Sequence, residues 1–184
     1  MTGSEVEAMK LRELIAVSYG NLAMAHYAVN RGDQSYSRTA YMIRARLTKG
    51  LKSESMSMGS MFEDEKWKLE RERSCSYCGA EEGLVLDHLI PKNLGGSDSG
   101  DNLVLACATC NSSKGGKDFL VWCRDQNVFP PLMVLRRYLK ILVKHAEEVG
   151  AMDLTLDSQA VQMLPFAIDE LPTSRFPQPP LLRL

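Results

Sequence analysis

The sequence predicts an α+β fold in which a short hairpin and the helix after it sit between two pairs of cysteines, with α-helices on both sides. Three observations lead there. Two Cys-x-x-Cys pairs, Cys75/Cys78 and Cys107/Cys110, are separated by 28 residues. Between them, the leucine- and valine-rich runs Leu84–Pro91 and Asp101–Ala106 flank a glycine-rich loop, the pattern of two strands. On either side of this stretch, apolar residues recur at helical spacing.

Composition sets the bounds. With 184 residues and 45% apolar content the chain makes one compact domain or a small domain with extensions, and no apolar run approaches a membrane span of about 18 residues. The net charge of -1 says little about a nucleic-acid partner, but its distribution says more. Residues 31–52 hold Arg31, Arg38, Arg44, Arg46, Lys49 and Lys52 against Asp33 alone, a local excess able to track a phosphate backbone.

In chain order, residues 4–30 predict a first helix. Ser4 can cap it, Glu5 and Glu7 fall in its first turn, and Leu11, Leu14, Ile15, Leu22 and Val29 share a face, with Gly20 as a point of interruption. His26 lies on it with no carboxylate or cysteine beside it in sequence, which favours a structural role. Arg31-Gly32-Asp33 stops this helix, and Ser35–Thr48 predicts a second one ending at Gly50. Arg38, Arg44 and Arg46 on it are candidate nucleic-acid contacts. Residues 51–60, rich in Ser, Met and Gly, read as a linker or a loop ordered on contact. Met61–Arg73 resumes helical character, and Trp67 within it reads as core rather than as a stacking platform for a base.

The cysteines come next. Each pair places two thiolates on one tight turn, and two such turns supply the four soft ligands of a closed tetrahedral zinc site with Zn–S distances of about 2.3 Å. Disulfides would need an oxidising compartment, whereas Met1–Lys10 is acidic and polar and has no signal-peptide run, so a cytoplasmic protein with structural zinc is expected. Redox pairs or an iron–sulfur cluster are the alternatives. A four-cysteine zinc has no open position, so any chemistry must come from the residues between the pairs.

Those residues include Asp87-His88 at the end of the first strand run, followed by a loop of about a dozen residues. Hairpin loops usually have two to five, and loops this long are commonly functional. Neighbours on a regular strand face opposite ways, so Asp87 and His88 reach one site only if the strand ends there. Pro91, which restricts Ile90 and cannot donate to a ladder, predicts an irregular exit at 88–90. After Cys110, Asn111-Ser112-Ser113-Lys114 reads as a helix start.

Taken together, Asp87-His88, Pro91, Gly95-Gly96, Asn102-Leu103, Leu105, Cys107-x-x-Cys110-Asn111 and Lys114-Gly115 resemble the four-cysteine branch of the HNH endonuclease family. The resemblance covers residues 73–118. The three letters of the name fall on His88, Asn102 and Asn111, the last departing from His to Asn. It implies a ββα-metal core with His88 as general base, Asp87 and Asn111 as ligands of a single catalytic divalent ion, and Asn102 as the residue that holds the long loop and so orients the histidine. Side-chain chemistry agrees, since imidazole, with an ordinary pKa of about 6.5, can take a proton from water near neutral pH. Asp and Asn both offer oxygen, which suits Mg²⁺ or Mn²⁺. Lys114 and Lys117, just past the metal-ligand position, are candidate phosphate contacts.

Past this core, Asp118 can cap a short helix carrying Phe119, Leu120, Trp122 and Cys123, the fifth cysteine reading as a buried thiol. Pro130-Pro131 opens a longer helix to about Val149, with Leu132, Leu135, Leu139, Leu142 and Val143 on one face and Arg136, Arg137, Lys140 and Lys144 on another. The last twenty residues hold Pro165, Pro172, Pro177, Pro179 and Pro180 and predict an extended tail that packs on the body or on a partner. The chain thus divides into a helical region at 1–60, a nuclease core at 61–126, and a helix with a Pro-rich tail at 127–184. A metal-dependent endonuclease acting on DNA is the expected function. The alternatives are an RNA endonuclease and a non-catalytic zinc module that binds nucleic acid or protein, with self-association through the helices or tail also open.

Overall fold

A computed structural model describes residues 8–59, 61, 73–174 and 176–184. The expected cap Ser4, the first-turn residues Glu5 and Glu7, and most of the helix expected at 61–73, Trp67 included, lie outside the described residues.

Helix α1, Leu11–Asn30, starts where a long-range contact sets its first turn. Lys10 bridges to Thr155, and the Leu11 and Arg12 N–H groups donate to the carbonyls of Leu154 and Met152 at 3.0 and 2.9 Å, so residues 8–10 stay out of the helix. The helix runs through Gly20 without a break. A Cβ there would come within 2.1 Å of Thr48 Oγ1, so the glycine serves the close crossing of α1 with α2, Arg38–Lys52. Ser37 caps α2 by accepting from the Ala40 N–H, and the helix continues past Gly50 to Lys52. It buries only Ala40, Gly50 and Leu51, leaving Arg38, Arg44 and Arg46 exposed. The segment after α2 is a packed loop rather than a free linker, since Met56 N–H donates to Gly50 O and Tyr19 OH donates to Met58 O.

Strands β1, Leu84–His88, and β2, Leu103–Cys107, pair antiparallel, with Leu84 opposite Cys107 and His88 opposite Leu103. Helix α3, Ala108–Lys114, begins directly after β2, its N-cap being Cys107, whose Sγ accepts from the Cys110 N–H. The second cysteine turn is therefore the first turn of α3, and Asn111 is its fourth residue rather than its start. Helix α4, Phe119–Asp125, is capped as its sequence predicts, with Asp118 Oδ1 accepting from the Leu120 N–H at 2.7 Å.

Helix α5, Leu132–Glu148, buries more than its apolar face. Of the four cations expected on its free side, Arg137 and Lys140 are buried, Arg136 is half-buried and only Lys144 is exposed. After the short α6, Gln159–Gln162, the tail is irregular and packs on the body. Phe176 meets Phe129 edge-on at 4.8 Å, and Tyr36 OH donates to Pro177 O.

A two-stranded hairpin is marginal by itself. Here it is carried by a single cluster of buried side chains that draws on Leu11 and Ile15 of α1, Leu89 and Ile90 at the strand exit, Phe119 of α4, Leu135, Tyr138 and Leu139 of α5, and Phe176 and Leu182 of the tail. Leu89 and Ile90 are almost fully buried, and burial of such side chains contributes about 1.5–3 kcal/mol each. That anchors the chain where it leaves His88. No helix among the described residues is long and apolar enough to cross a membrane.

Candidate active site

The cysteine cluster forms from two turns brought together by the hairpin. Cys75 N–H donates to Ala80 O and Gly79 N–H to Cys75 O, closing the first turn, and Ser76 N–H donates to Leu105 O, which docks that turn on β2. The four Sγ atoms of Cys75, Cys78, Cys107 and Cys110 all lie within 4.8 Å of one another, with Cys78 and Cys107 at 3.7 Å. A tetrahedron with Zn–S bonds of about 2.3 Å has S–S edges of about 3.8 Å, so the cluster fits that ion. Its electrostatics fit a cation too. Burial raises the Cys75 thiol, but backbone N–H groups of Cys107, Cys78 and Tyr77 outweigh it and bring the pKa down to about 7. Burial and the neighbouring sulfurs push Cys110 up instead. Four crowded thiols resist joint ionisation, and a bound dication removes that resistance.

Tyr77, between the first two cysteines, carries the cluster's position to Asp87. Its ring is buried against Phe119 and Trp122, with centroids at 5.7 and 5.1 Å, and its hydroxyl donates to Asp87 Oδ2 at 2.7 Å. Burial, and then the Asp87 charge, keeps the phenol protonated well above its ordinary pKa. Asp87 also faces Lys114, whose Nζ lies 3.0 Å from Oδ2 and 2.7 Å from the His88 carbonyl. Sequence places Lys114 at the surface as a phosphate contact, whereas the structure buries it to 1% exposure. The ammonium turns inward because a carboxylate and a carbonyl wait there. A carboxylate offers about four lone-pair sites, and among the described residues Oδ1 accepts only the 3.3 Å contact from Lys114, so Asp87 retains acceptor capacity for a further cation.

Asn111 sits one turn before Lys114, at i and i+3 on α3, and so shares the helix face whose lysine touches Asp87. Its side chain is half-buried and has no hydrogen-bond partner among the described residues. An aspartate carboxylate and an asparagine amide both offer oxygen, the donor chemistry that a hard divalent cation takes.

The His88 ring contacts the loop. Its Nε2 lies 2.6 Å from Asp98 Oδ1, and Lys92 Nζ reaches the other oxygen at 2.6 Å. Lys92 first, then His88, hold the Asp98 carboxyl below the usual range, so it is ionised at neutral pH and can only accept. Nε2 therefore carries the proton, and the lone pair of the neutral ring resides on Nδ1.

The loop between the strands is folded around Asn102, which is 1% exposed. Its Oδ1 accepts from Ile90 N–H, its Nδ2 donates to Ile90 O and Ser97 O, and its carbonyl accepts from Leu89 N–H, each at 2.8 Å. Gly96 is tucked into this knot, since a Cβ there would overlap Ile90 O at 1.8 Å. Lys117 is exposed beside Asp125 at 2.8 Å, and among the described residues Arg38 and Arg46 have no carboxylate partner. Tyr77 and Asp98 are the residues that sequence reading passes over. Tyr77 shows only as a filler between two cysteines, and Asp98 only as one acid in a Gly/Ser loop.

Residues 75–117 match the model of the family described as HNH endonuclease. Over 58 residues the chain is 33% identical to the CRISPR-associated endonuclease Cas9 of Corynebacterium diphtheriae, an alignment covering 29% of this chain and 5% of that protein. No solved structure matches the chain. With the family match falling on the hairpin, the long loop, α3 and both cysteine pairs, residues 75–117 of this chain form an HNH endonuclease domain.

Proposed function

We propose that this protein is a metal-dependent endonuclease that hydrolyses phosphodiester bonds in DNA, with His88 as general base. The observation that carries the reading is the pair at the strand end. Lys114 of α3 meets both the Asp87 carboxylate and the His88 carbonyl, which sets the two residues beside the helix that carries Asn111, and Asp98 orients the His88 ring through Nε2, which leaves Nδ1 to act as base. A divalent ion held by Asp87 and Asn111 would supply the positive charge that phosphoryl oxygens need as the bond breaks. His88 Nδ1 takes the proton of the attacking water, and Asp98 on Nε2 steadies the imidazolium that results. Asn102 keeps the strand exit fixed, so the imidazole does not wander from its line. The four cysteines hold structural zinc, with no role in the chemical step. Arg38, Arg44 and Arg46 of α2, and Lys117, are exposed cations that would meet the phosphate backbone of the substrate. A cytoplasmic location accords with a reduced four-thiol zinc site.

The test is single-turnover cleavage of matched DNA and RNA duplexes and single strands with Mg²⁺, using the parent and His88→Ala. DNA cleavage by the parent, lowered about 10²- to 10⁴-fold in the variant with its fold intact, is the expected result. RNA as the better substrate would replace DNA in this reading. A variant that kept most of the parental rate would remove His88 from the mechanism.

A further inference from the structure

Arg137 belongs to α5, outside the HNH match, yet it grips the nuclease loop. Its side chain is buried at 4% exposure, with Nε donating to Asp101 O at 2.5 Å and Nη2 to Gly100 O at 2.9 Å. Those two carbonyls immediately precede Asn102, whose side chain and carbonyl hold Leu89 and Ile90 next to His88. Resting on the nuclease reading above, we propose that Arg137 is a positioning residue for the catalytic site, acting through residues 100–102 on the orientation of His88.

The physical case rests on rigidity at one end and freedom at the other. The loop carries Gly95, Gly96 and Gly100, so its backbone has little stiffness of its own. Helix α5 is the opposite. Leu132, Leu135, Tyr138, Leu139 and Leu142 are fully buried, and Tyr138 OH donates to Asp118 Oδ2 at 2.7 Å. A guanidinium fork engages two successive carbonyls at once and fixes both the position and the rotation of that peptide, which a single-point donor does not. The exposed Lys144, 3.6 Å from Asp101, gives no such hold. The matched core thus borrows part of its loop geometry from a helix outside residues 75–117. A displacement of about 1 Å at a reacting group can cost on the order of 10²-fold in rate.

Arg137→Met and Arg137→Lys test this in the full chain, by single-turnover cleavage at saturating DNA and Mg²⁺ and by amide hydrogen exchange. In Arg137→Met the rate should fall tenfold to 10²-fold, about the cost of a small misplacement. The half-saturating DNA and Mg²⁺ concentrations should stay parental, and the Leu89, Ile90 and Asn102 amides should exchange faster while Leu22 of α1 does not. Arg137→Lys should fall between this variant and the parent, and it reads the same quantities if Arg137→Met does not fold. Parental exchange at 89, 90 and 102 overturns the proposal whatever the rate. So does a parental rate with loosened amides, and so does exchange that rises equally in α1, which marks a merely structural role. If the parent cleaves nothing, the nuclease reading fails, and the exchange pattern alone still decides whether Arg137 sets the loop.

Discussion

Lys114 and Asp87 form a buried ion pair at the strand end, Nζ to Oδ2 at 3.0 Å, with the lysine side chain wholly enclosed and the aspartate nearly so. Removing one partner of such a pair leaves an uncompensated charge and costs about 3–5 kcal/mol, much more than the loss of a surface bridge. Lys114→Met should therefore lower stability by roughly that amount in urea denaturation. The Asp87→Asn/Lys114→Met double variant should be the more stable of the two. A single variant indistinguishable from the parent would mean that solvent reaches the pair.

Much of this site was legible before the structure, and the reason is local. Cysteine spacing, two short apolar runs and the Asp118 cap depend on neighbours in sequence, so the hairpin, α3 and α4 fall near where pattern places them. What pattern missed depends on partners far along the chain. The start of α1 is set by Thr155, and Gly20 answers to Thr48 rather than ending a helix. Lys114 and Arg137 look like surface cations until Asp87 and the Gly100 and Asp101 carbonyls come to meet them. Asp98 gains its meaning only when the loop folds back on His88.

The four-sulfur cluster should bind one zinc per chain and hold the hairpin together. Structural zinc supplies apparent binding energies of about 10–16 kcal/mol in small peptides at neutral pH, and a two-stranded hairpin has little else of its own. Cys78→Ser and Cys107→Ser should each lose zinc and yield misfolded or insoluble protein. Elemental analysis and a thermal melt are sufficient, and full zinc content with parental melting in either variant would contradict the assignment.

His26 gives the fold an acid-sensitive point away from the active site. Burial, and then the charge of Arg136, holds its pKa below the ordinary 6.5. The unfolded chain therefore takes up this proton first as pH falls, and between the two pKa values it binds more protons than the folded chain. Stability that is present above 6.5 is lost as pH drops through it toward the folded value. His26→Gln cannot protonate, so its stability should decline less than the parent's on acidification from neutral pH. Parallel curves for the two proteins would show that His26 does not contribute.

The asparagine at 111 should set the metal preference of the nuclease site. An imidazole there would offer nitrogen and favour Ni²⁺, Zn²⁺ or Cu²⁺, whereas the amide offers oxygen and, with Asp87, makes a hard site suited to Mg²⁺ or Mn²⁺. Cleavage should accordingly run with Mg²⁺ or Mn²⁺, and Asn111→His should shift the preference toward Ni²⁺ or Zn²⁺. Ligand and base separate in a titration. Asn111→Ala should raise the Mg²⁺ concentration needed for half-maximal rate, because it removes a donor. His88→Ala should lower the maximal rate at an unchanged Mg²⁺ midpoint, because His88 serves as the base and not as a ligand of the ion. If Asn111→Ala titrated like the parent, Asn111 would be only a residue of α3, and Asp87 would need another partner to hold the ion.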